Sequence, residues 1–188
     1  MSKVLRLHHF EPASRANGPG LRAVIWVQGC TLGCPGCFNP LTHPRKGGFD
    51  CDPDTAAQWV LDARQHGIEG VTISGGEPLQ QLASVTRLVK LIKENSDLSV
   101  LLFSGFSWEE IQKIPRIDAL LTHIDVLLAG RYRQEERVAS GLLGSANKTV
   151  HLLTPRYTLA DLLAVPEAEI TIAPDGEIHL SGINPLEM

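Results

Sequence analysis

The sequence predicts an α/β fold in which parallel strands alternate with helices and a short antiparallel hairpin follows at the C-terminus. Three observations carry this prediction. Short apolar runs bounded by glycine or polar residues recur along the chain, as strands do. Segments with apolar residues at helical spacing lie between them. Near the end, Pro174-Asp175-Gly176 separates two further runs, 169–173 and 177–180, which is typical of a hairpin turn.

Four segments are predicted as strands of the central sheet: 21–28, 70–74, 98–103 and 125–129. The first contains the unbroken apolar stretch AVIWV at residues 23–27. A strand without alternation of polar and apolar residues is usually covered on both faces, as the strands of a parallel sheet are. We therefore predict an open or partly closed parallel sheet with right-handed crossovers.

Helices are predicted between these strands. Residues 54–66 follow Pro53, which suits the first turn of a helix, and carry apolar side chains at helical spacing. A second apolar stripe of this kind covers residues 82–92. Ser107 and Glu110 form the pattern of a capping box, which predicts the start of a third helix.

Length and composition limit the class of protein. A chain of 188 residues predicts a single domain that buries a core without disulfide bonds. Hydrophobic residues make up 43% of the chain, which excludes a disordered protein, and the net charge of −4 argues against nucleic-acid binding. No apolar run approaches the ~20 residues that span a bilayer, and residues 1–10 lack the apolar core of a secretory signal. We expect a cytoplasmic protein with neither a membrane nor a nucleic acid as partner.

Three of the four cysteines, Cys30, Cys34 and Cys37, have the spacing C-x3-C-x2-C on a glycine-rich loop after the first predicted strand. In a reducing compartment such a cluster indicates a metal site rather than disulfide bonds. Three thiolates without a fourth nearby suit an iron–sulfur cubane that keeps one iron open. The alternative is a zinc site completed by His43. The remaining cysteine, Cys51, is expected to be a free or surface thiol.

A second motif, Gly75-Gly76-Glu77, begins 38 residues after Cys37. Together with the cysteine spacing it resembles the radical S-adenosylmethionine (radical SAM) superfamily. The run Pro35-Gly36-Cys37-Phe38-Asn39 resembles the form found in small activating enzymes of glycyl radical proteins, especially those of anaerobic ribonucleotide reductase. Many superfamily members carry an aromatic residue where this chain has Gly36.

Three further segments resemble the same subfamily: residues 17–22 (NGPGLR), 125–132 (DVLLAGRY) and 144–148 (GSANK). The similarity covers about residues 10–151, and the last 37 residues extend beyond it. The resemblance therefore implies a single radical SAM domain over residues 1–188. Its core is expected to be a partial, open (β/α) barrel of parallel strands, with residues 152–188 as a C-terminal extension that carries the hairpin.

By the same resemblance, the chain is expected to be an oxidoreductase that reductively cleaves S-adenosylmethionine at a [4Fe–4S] cluster, giving methionine and a 5′-deoxyadenosyl radical. The expected partner is anaerobic ribonucleotide reductase, on which the enzyme installs a glycyl radical, with a flavodoxin or ferredoxin-type protein as electron donor. Two alternatives stay open. One is a stand-alone radical SAM enzyme for a small molecule or peptide, which the C-terminal extension favours. The other is a non-catalytic zinc or electron-transfer protein.

The resemblance also implies the residues of the site. Cys30, Cys34 and Cys37 hold the cluster, and its open iron chelates the amino and carboxylate groups of S-adenosylmethionine. The Gly75-Gly76-Glu77 turn brings backbone carbonyls and negative charge to the ammonium group of that molecule. The other candidates for cofactor binding, each with a structural alternative, are Gly36, Phe38, Asn39, Ser104, Asp125, Arg131 and Asn147.

Overall fold

A computed structural model describes residues 4–172, 176 and 178–183. The strands are β1 (Leu5–Ser14), β2 (Arg22–Val27), β3 (Phe49–Cys51), β4 (Gly70–Gly75), β5 (Ser99–Ser104), β6 (Val126–Ala129), β7 (Arg137–Ser140), β8 (Leu143–Ser145), β9 (Thr149–Leu152), β10 (Ala168–Ile172) and β11 (Ile178–Gly182). The helices are α1 (Pro53–Asp62), α2 (Leu82–Asn95), α3 (Trp108–Ile111), α4 (Asp118–Leu121) and α5 (Leu159–Leu163). No helix in this part of the chain is long and apolar enough to cross a bilayer.

The central sheet has seven strands in the order β3-β1-β2-β4-β5-β6-β9. Strands β2, β4, β5 and β6 are parallel, and they are the four strands that the sequence predicts. The antiparallel strands β1 and β3 extend one side of this parallel core, and β9 extends the other side. A mixed α/β fold with a mostly parallel sheet is thereby confirmed.

Both faces of the sheet are covered, which explains the unbroken apolar runs in its central strands. In the part of the chain that the structure describes, the larger of two hydrophobic cores lies on one face of the sheet. Helix α2 contributes Val85, Leu88, Val89 and Ile92 to this core, and these residues lie on the stripe that the sequence predicts. On the other face, Leu101, Val126 and Leu128 pack against apolar side chains from the C-terminal third of the chain, namely Leu142, Leu162 and Val165.

Helix ends follow local chemistry. The Asp52 carboxylate accepts a hydrogen bond from the Asp54 N–H at 2.8 Å and caps α1. The predicted helix 54–66 is an α-helix only to Asp62 and continues as a 3-10 helix over Ala63–His66. The capping box of α3 is confirmed, because Ser107 Oγ accepts from the Glu110 N–H and the Glu110 carboxylate accepts from the Ser107 N–H.

The C-terminal hairpin is confirmed as an antiparallel pair of β10 and β11. Its predicted turn residues Pro174 and Asp175 lie outside the described residues. The pairing register sets Ile170 opposite Leu180 and Ile172 opposite Ile178.

Candidate functional site

A cavity of about 760 Å³ lies at the carboxyl ends of β2, β4 and β5, where ligands of parallel α/β sheets usually bind. It gathers nine of the predicted site residues: Cys30, Cys34, Cys37, Phe38, Asn39, Gly75, Gly76, Glu77 and Ser104. Four others, Gly36, Asp125, Arg131 and Asn147, are not part of its lining.

The cysteine loop is fixed by backbone hydrogen bonds to the chain that follows it. The Gly29 N–H donates to the Thr42 carbonyl at 2.7 Å, and the Cys30 N–H donates to the His43 carbonyl at 3.0 Å. The Cys37 N–H donates to the Cys34 carbonyl at 3.3 Å and closes a turn between these two cysteines. The loop therefore holds its thiols in place without any disulfide bond.

The three thiols are partly buried and face a common space. Burial raises the pKa of the Cys30 and Cys37 thiols, and negative charge on Cys34 raises both further. Among the described residues, no group of three or more His, Cys, Asp or Glu side chains is placed to hold a single metal ion. Three soft sulfur donors around a shared space fit a cubane cluster, in which each thiolate binds a different iron.

The Gly75-Gly76-Glu77 turn packs directly against the start of the cysteine loop. Gly75 has a φ of +100°, and a Cβ on it would lie 2.5 Å from the Val27 backbone. A Cβ on Gly76 would lie 2.3 Å from the Gly29 carbonyl oxygen. Glycine is therefore required here because two backbone segments touch, and this contact fixes the turn relative to Cys30.

Glu77 is buried, and its carboxylate accepts hydrogen bonds from the Leu79 N–H at 2.9 Å, the Gly105 N–H at 2.7 Å and Ser104 Oγ at 3.0 Å. Burial raises the pKa of Glu77, and the three hydrogen bonds oppose that shift. The carboxylate thus ties the end of β5 to the turn after β4. In this structure the Ser104 hydroxyl proton is directed to Glu77 rather than into the cavity.

Lys148 lines the cavity although the sequence prediction did not select it. Its ammonium donates to the Gly130 carbonyl at 2.7 Å. Burial lowers the pKa of Lys148, while the negative charges of Cys34, Glu77 and Cys37 raise it. No other lysine or arginine is found among the described residues that line the cavity. The position of Lys148 at the end of the segment 144–148 was the sequence signal available for it.

Arg131 and Asn147 lie outside the cavity lining. The Arg131 guanidinium forms two hydrogen bonds with the Glu110 carboxylate, at 2.7 and 3.1 Å. The Asn147 side-chain N–H donates to the Arg131 carbonyl at 2.8 Å, while its buried Oδ1 atom has no hydrogen-bond partner. These hydrogen bonds connect α3 to the chain after β6, and the chain after β6 to the segment before β9.

Phe38 and Gly36 join the cysteine loop to the chain after β6. The Phe38 ring lies 4.5 Å from that of Tyr132, and the Arg137 guanidinium lies over it at 5.3 Å. Gly36 has a φ of +65°, and a Cβ on it would lie 2.5 Å from the Gln134 side chain. These contacts dock the cysteine loop against the chain after β6, and Phe38 also lines the cavity.

Cys51 ends β3 and does not line the cavity. It is a free cysteine, as predicted, but it is buried rather than at the surface. Strand β3 pairs with β1 at the edge of the sheet, and its last residue packs into the larger core.

Asp125 lies just before β6, at the amino end of the parallel strands and away from the cavity. Its carboxylate accepts hydrogen bonds from the Val100 N–H at 2.8 Å, the Lys93 ammonium at 3.0 Å and the Thr154 hydroxyl at 2.8 Å. Burial alone would raise the pKa of Asp125, but these bonds outweigh it and hold the pKa below its usual value. Asp125 therefore links β5, α2 and the chain after β9.

Because its pKa is lowered in the folded state, Asp125 stabilises the protein above the pKa that it has when unfolded, and this stabilisation is lost as the pH falls through the folded-state pKa. We expect Asp125→Asn to reduce the free energy of unfolding at pH 7 by about 1–3 kcal/mol. The difference from the wild type should shrink below about pH 4. Urea denaturation at pH 7 and below about pH 4 measures the difference in the free energy of unfolding. A difference that does not depend on pH would contradict this role of Asp125.

A family model described as a 4Fe-4S single cluster domain matches residues 16–151. The anaerobic ribonucleoside-triphosphate reductase-activating protein of Vibrio cholerae is 32% identical over 157 residues, covering 80% of this chain and 99% of the relative. That of Haemophilus influenzae is 34% identical over 148 residues, covering 76% and 94%. The present chain belongs to the family of these activating proteins. The activating protein of bacteriophage T4 is 29% identical over 140 residues, covering 73% and 87%.

Membership in the activating-protein family confirms the resemblance drawn from the cysteine and glycine motifs. The chain is a radical SAM enzyme, with an iron–sulfur cluster and S-adenosylmethionine as cofactors. The crystal structure of QueE from Escherichia coli aligns with a TM-score of 0.44 and 15% identity over 55% of this chain and 53% of that one, which is too weak a likeness to carry an argument.

Proposed function

We propose that this activating protein uses S-adenosylmethionine to install a glycyl radical on anaerobic ribonucleotide reductase. The observation that supports this most is the convergence of three free thiols, the Gly75-Gly76-Glu77 turn and one lysine on a single cavity, in a chain of this family. When bound, a [4Fe–4S] cluster supplies the electron that cleaves S-adenosylmethionine to methionine and a 5′-deoxyadenosyl radical, which takes a hydrogen atom from a glycine of the reductase.

The protein's own side chains bind and orient. Cys30, Cys34 and Cys37 would hold the cluster. The turn at Gly75 and Gly76 would present backbone carbonyls to the ammonium group of S-adenosylmethionine. Glu77 keeps this turn fixed to the end of β5 through its hydrogen bonds to Leu79, Gly105 and Ser104.

Lys148 would bind the methionine carboxylate, since no other lysine or arginine is among the described residues that line the cavity. The electron donor in our proposal is a flavodoxin or ferredoxin-type protein, and the working compartment is the cytoplasm, where thiols stay reduced. We also propose that the open sheet curves as a partial barrel and that the whole chain acts as one domain, with neither a membrane nor a nucleic acid as partner.

The central experiment is anaerobic reconstitution with iron and sulfide. We expect roughly four irons per chain, as for one [4Fe–4S] cluster. After reduction, S-adenosylmethionine should yield 5′-deoxyadenosine, and a glycyl radical signal in electron paramagnetic resonance should appear only when the reductase is added. Formation of 5′-deoxyadenosine without a radical on the reductase would favour the alternative of a stand-alone enzyme for a small molecule, whose substrate would occupy the same cavity.

Lys148→Met tests the cationic position in the cavity. Loss of a charge-assisted hydrogen bond should weaken S-adenosylmethionine binding by about 10- to 100-fold while iron content stays at the wild-type level. The matched control is Lys46→Met, an exposed lysine outside the cavity lining. Anaerobic equilibrium titration gives Kd for both variants. An unchanged Kd for Lys148→Met would remove Lys148 from the binding site.

A further inference from the structure

Hydrogen bonds from the segment that precedes β2 hold the C-terminal hairpin in place, and we call this set of bonds the latch. Glu169 Oε2 accepts hydrogen bonds from Ser14 Oγ at 2.6 Å and from the N–H groups of the next two residues at 2.9 and 3.4 Å. The Asn17 side-chain N–H donates to Ser181 Oγ at 2.6 Å and ties the second strand to the same segment. A two-stranded hairpin is marginal on its own, so this latch holds it beside the cavity.

One face of the hairpin is aliphatic. The register sets Ile170 opposite Leu180 and Ile172 opposite Ile178, and residues directly opposite in an antiparallel pair share a face. Ile172 is 68% exposed, Ile170 49% and Ile178 48%. Exposed apolar surface of this kind, next to a functional cavity, commonly marks a binding site.

The aliphatic face continues from inside the cavity to the outer surface. Ile178 and Leu180 on β11 line the cavity, whereas Ile170 and Ile172 on β10 do not. A small molecule enclosed in the cavity would contact β11 and leave the β10 residues in water. A polypeptide segment that runs out of the cavity would cross both strands, since each cross-strand pair spans about 5 Å.

We propose that the aliphatic face of the hairpin, formed by Ile170, Ile172, Ile178 and Leu180, is the docking surface for the glycine-bearing segment of the reductase. This inference rests on the proposed function. Glu169 acts as a positioning residue, because it places the hairpin without contacting the reacting atoms. The hairpin begins after residue 151, where the match to the family model ends, so this surface is added to the shared core.

Ile172→Ser tests the surface at its most exposed residue, where folding is least affected. The KM for the reductase in glycyl radical formation should rise about tenfold, as for an interface residue of central importance. Iron content and the Kd for S-adenosylmethionine should keep their wild-type values. The matched control is Thr171→Ala, an exposed neighbour whose side chain points to the other face and whose variant should keep the wild-type KM.

Glu169→Ala tests the latch in the same assay, with the exposed Glu167→Ala as its control. Loosening the hairpin should raise KM for the reductase by about tenfold and leave iron content unchanged. A wild-type KM for both Ile172→Ser and Glu169→Ala would overturn the inference. Failure of the proposed function itself looks different, because then the wild-type protein would form no glycyl radical on the reductase at any concentration.

Discussion

Replacing Cys34 with alanine is expected to abolish cluster assembly and, with it, all cleavage of S-adenosylmethionine. The substitution removes one of three sulfur donors but leaves the backbone turn between Cys34 and Cys37, because that turn is made by a carbonyl and an N–H group. With two thiolates, a second iron of the cubane has no protein ligand besides the iron that is open to S-adenosylmethionine, and the cluster is no longer held. The loss should therefore be complete rather than partial.

The matched control is Cys51→Ser, which removes a free thiol outside the cavity lining. This variant should reconstitute to the wild-type iron content and keep its activity. Iron analysis, Mössbauer spectra and 5′-deoxyadenosine formation compare the two variants. A Cys34→Ala protein that binds as much iron as the wild type would show that the cluster has other ligands, and loss of iron from Cys51→Ser would assign that cysteine a role in the site.

The parallel core was predictable because β2, β4, β5 and β6 are buried on both faces, and burial on both faces leaves unbroken apolar runs in the sequence. Strand β1 carries no such run. Its segment LRLHHFEPAS is polar in the middle and contains Pro12, and its pairing with β2 is interrupted by two irregularities. Its place in the sheet is decided by contact with β2, which periodicity along the chain does not report.

The site likewise contains residues that local sequence patterns predict and residues whose place depends on distant contacts. The cysteine spacing and the Gly75-Gly76-Glu77 turn are local patterns, and both reach the cavity. Lys148 reaches it only because β9 returns beside β6, and Asp125 misses it because it lies at the amino end of its strand. Whether a polar residue binds a ligand or a neighbour depends on contacts between distant segments, and Ser104 illustrates this through its hydrogen bond to Glu77.

Arg22 is a buried charge that the sequence alone does not explain. It begins β2 with no solvent exposure, and burial lowers the pKa of its guanidinium. Within the described part of the chain, the guanidinium donates to neutral groups only: the carbonyls of Pro19, Val71 and Ser99 and the hydroxyls of Thr72, Ser99 and Tyr157. A buried charge is tolerated when its donors are satisfied. Arg22 thereby joins β2, β4, β5 and the loop before β2.

Arg22→Met is expected to reduce the free energy of unfolding by about 3–5 kcal/mol, because it leaves several buried carbonyls without donors. The control is Arg64→Met, an exposed arginine whose loss should change stability by about 0.5 kcal/mol or less. Urea denaturation of the anaerobic apoprotein measures both. A loss below about 1 kcal/mol for Arg22→Met would show that the methionine packs well enough to replace the hydrogen bonds.

The Arg22→Met substitution should also affect the hairpin beside the cavity. Arg22 holds the Pro19 carbonyl, and the preceding Asn17 lines the cavity and anchors the hairpin through Ser181. If the loop loosens, the hairpin loses part of its latch even in molecules that stay folded. We therefore expect folded Arg22→Met protein to show a raised KM for the reductase, whereas Arg64→Met keeps the wild-type value. A wild-type KM for Arg22→Met would mean that Glu169 alone is sufficient to hold the hairpin.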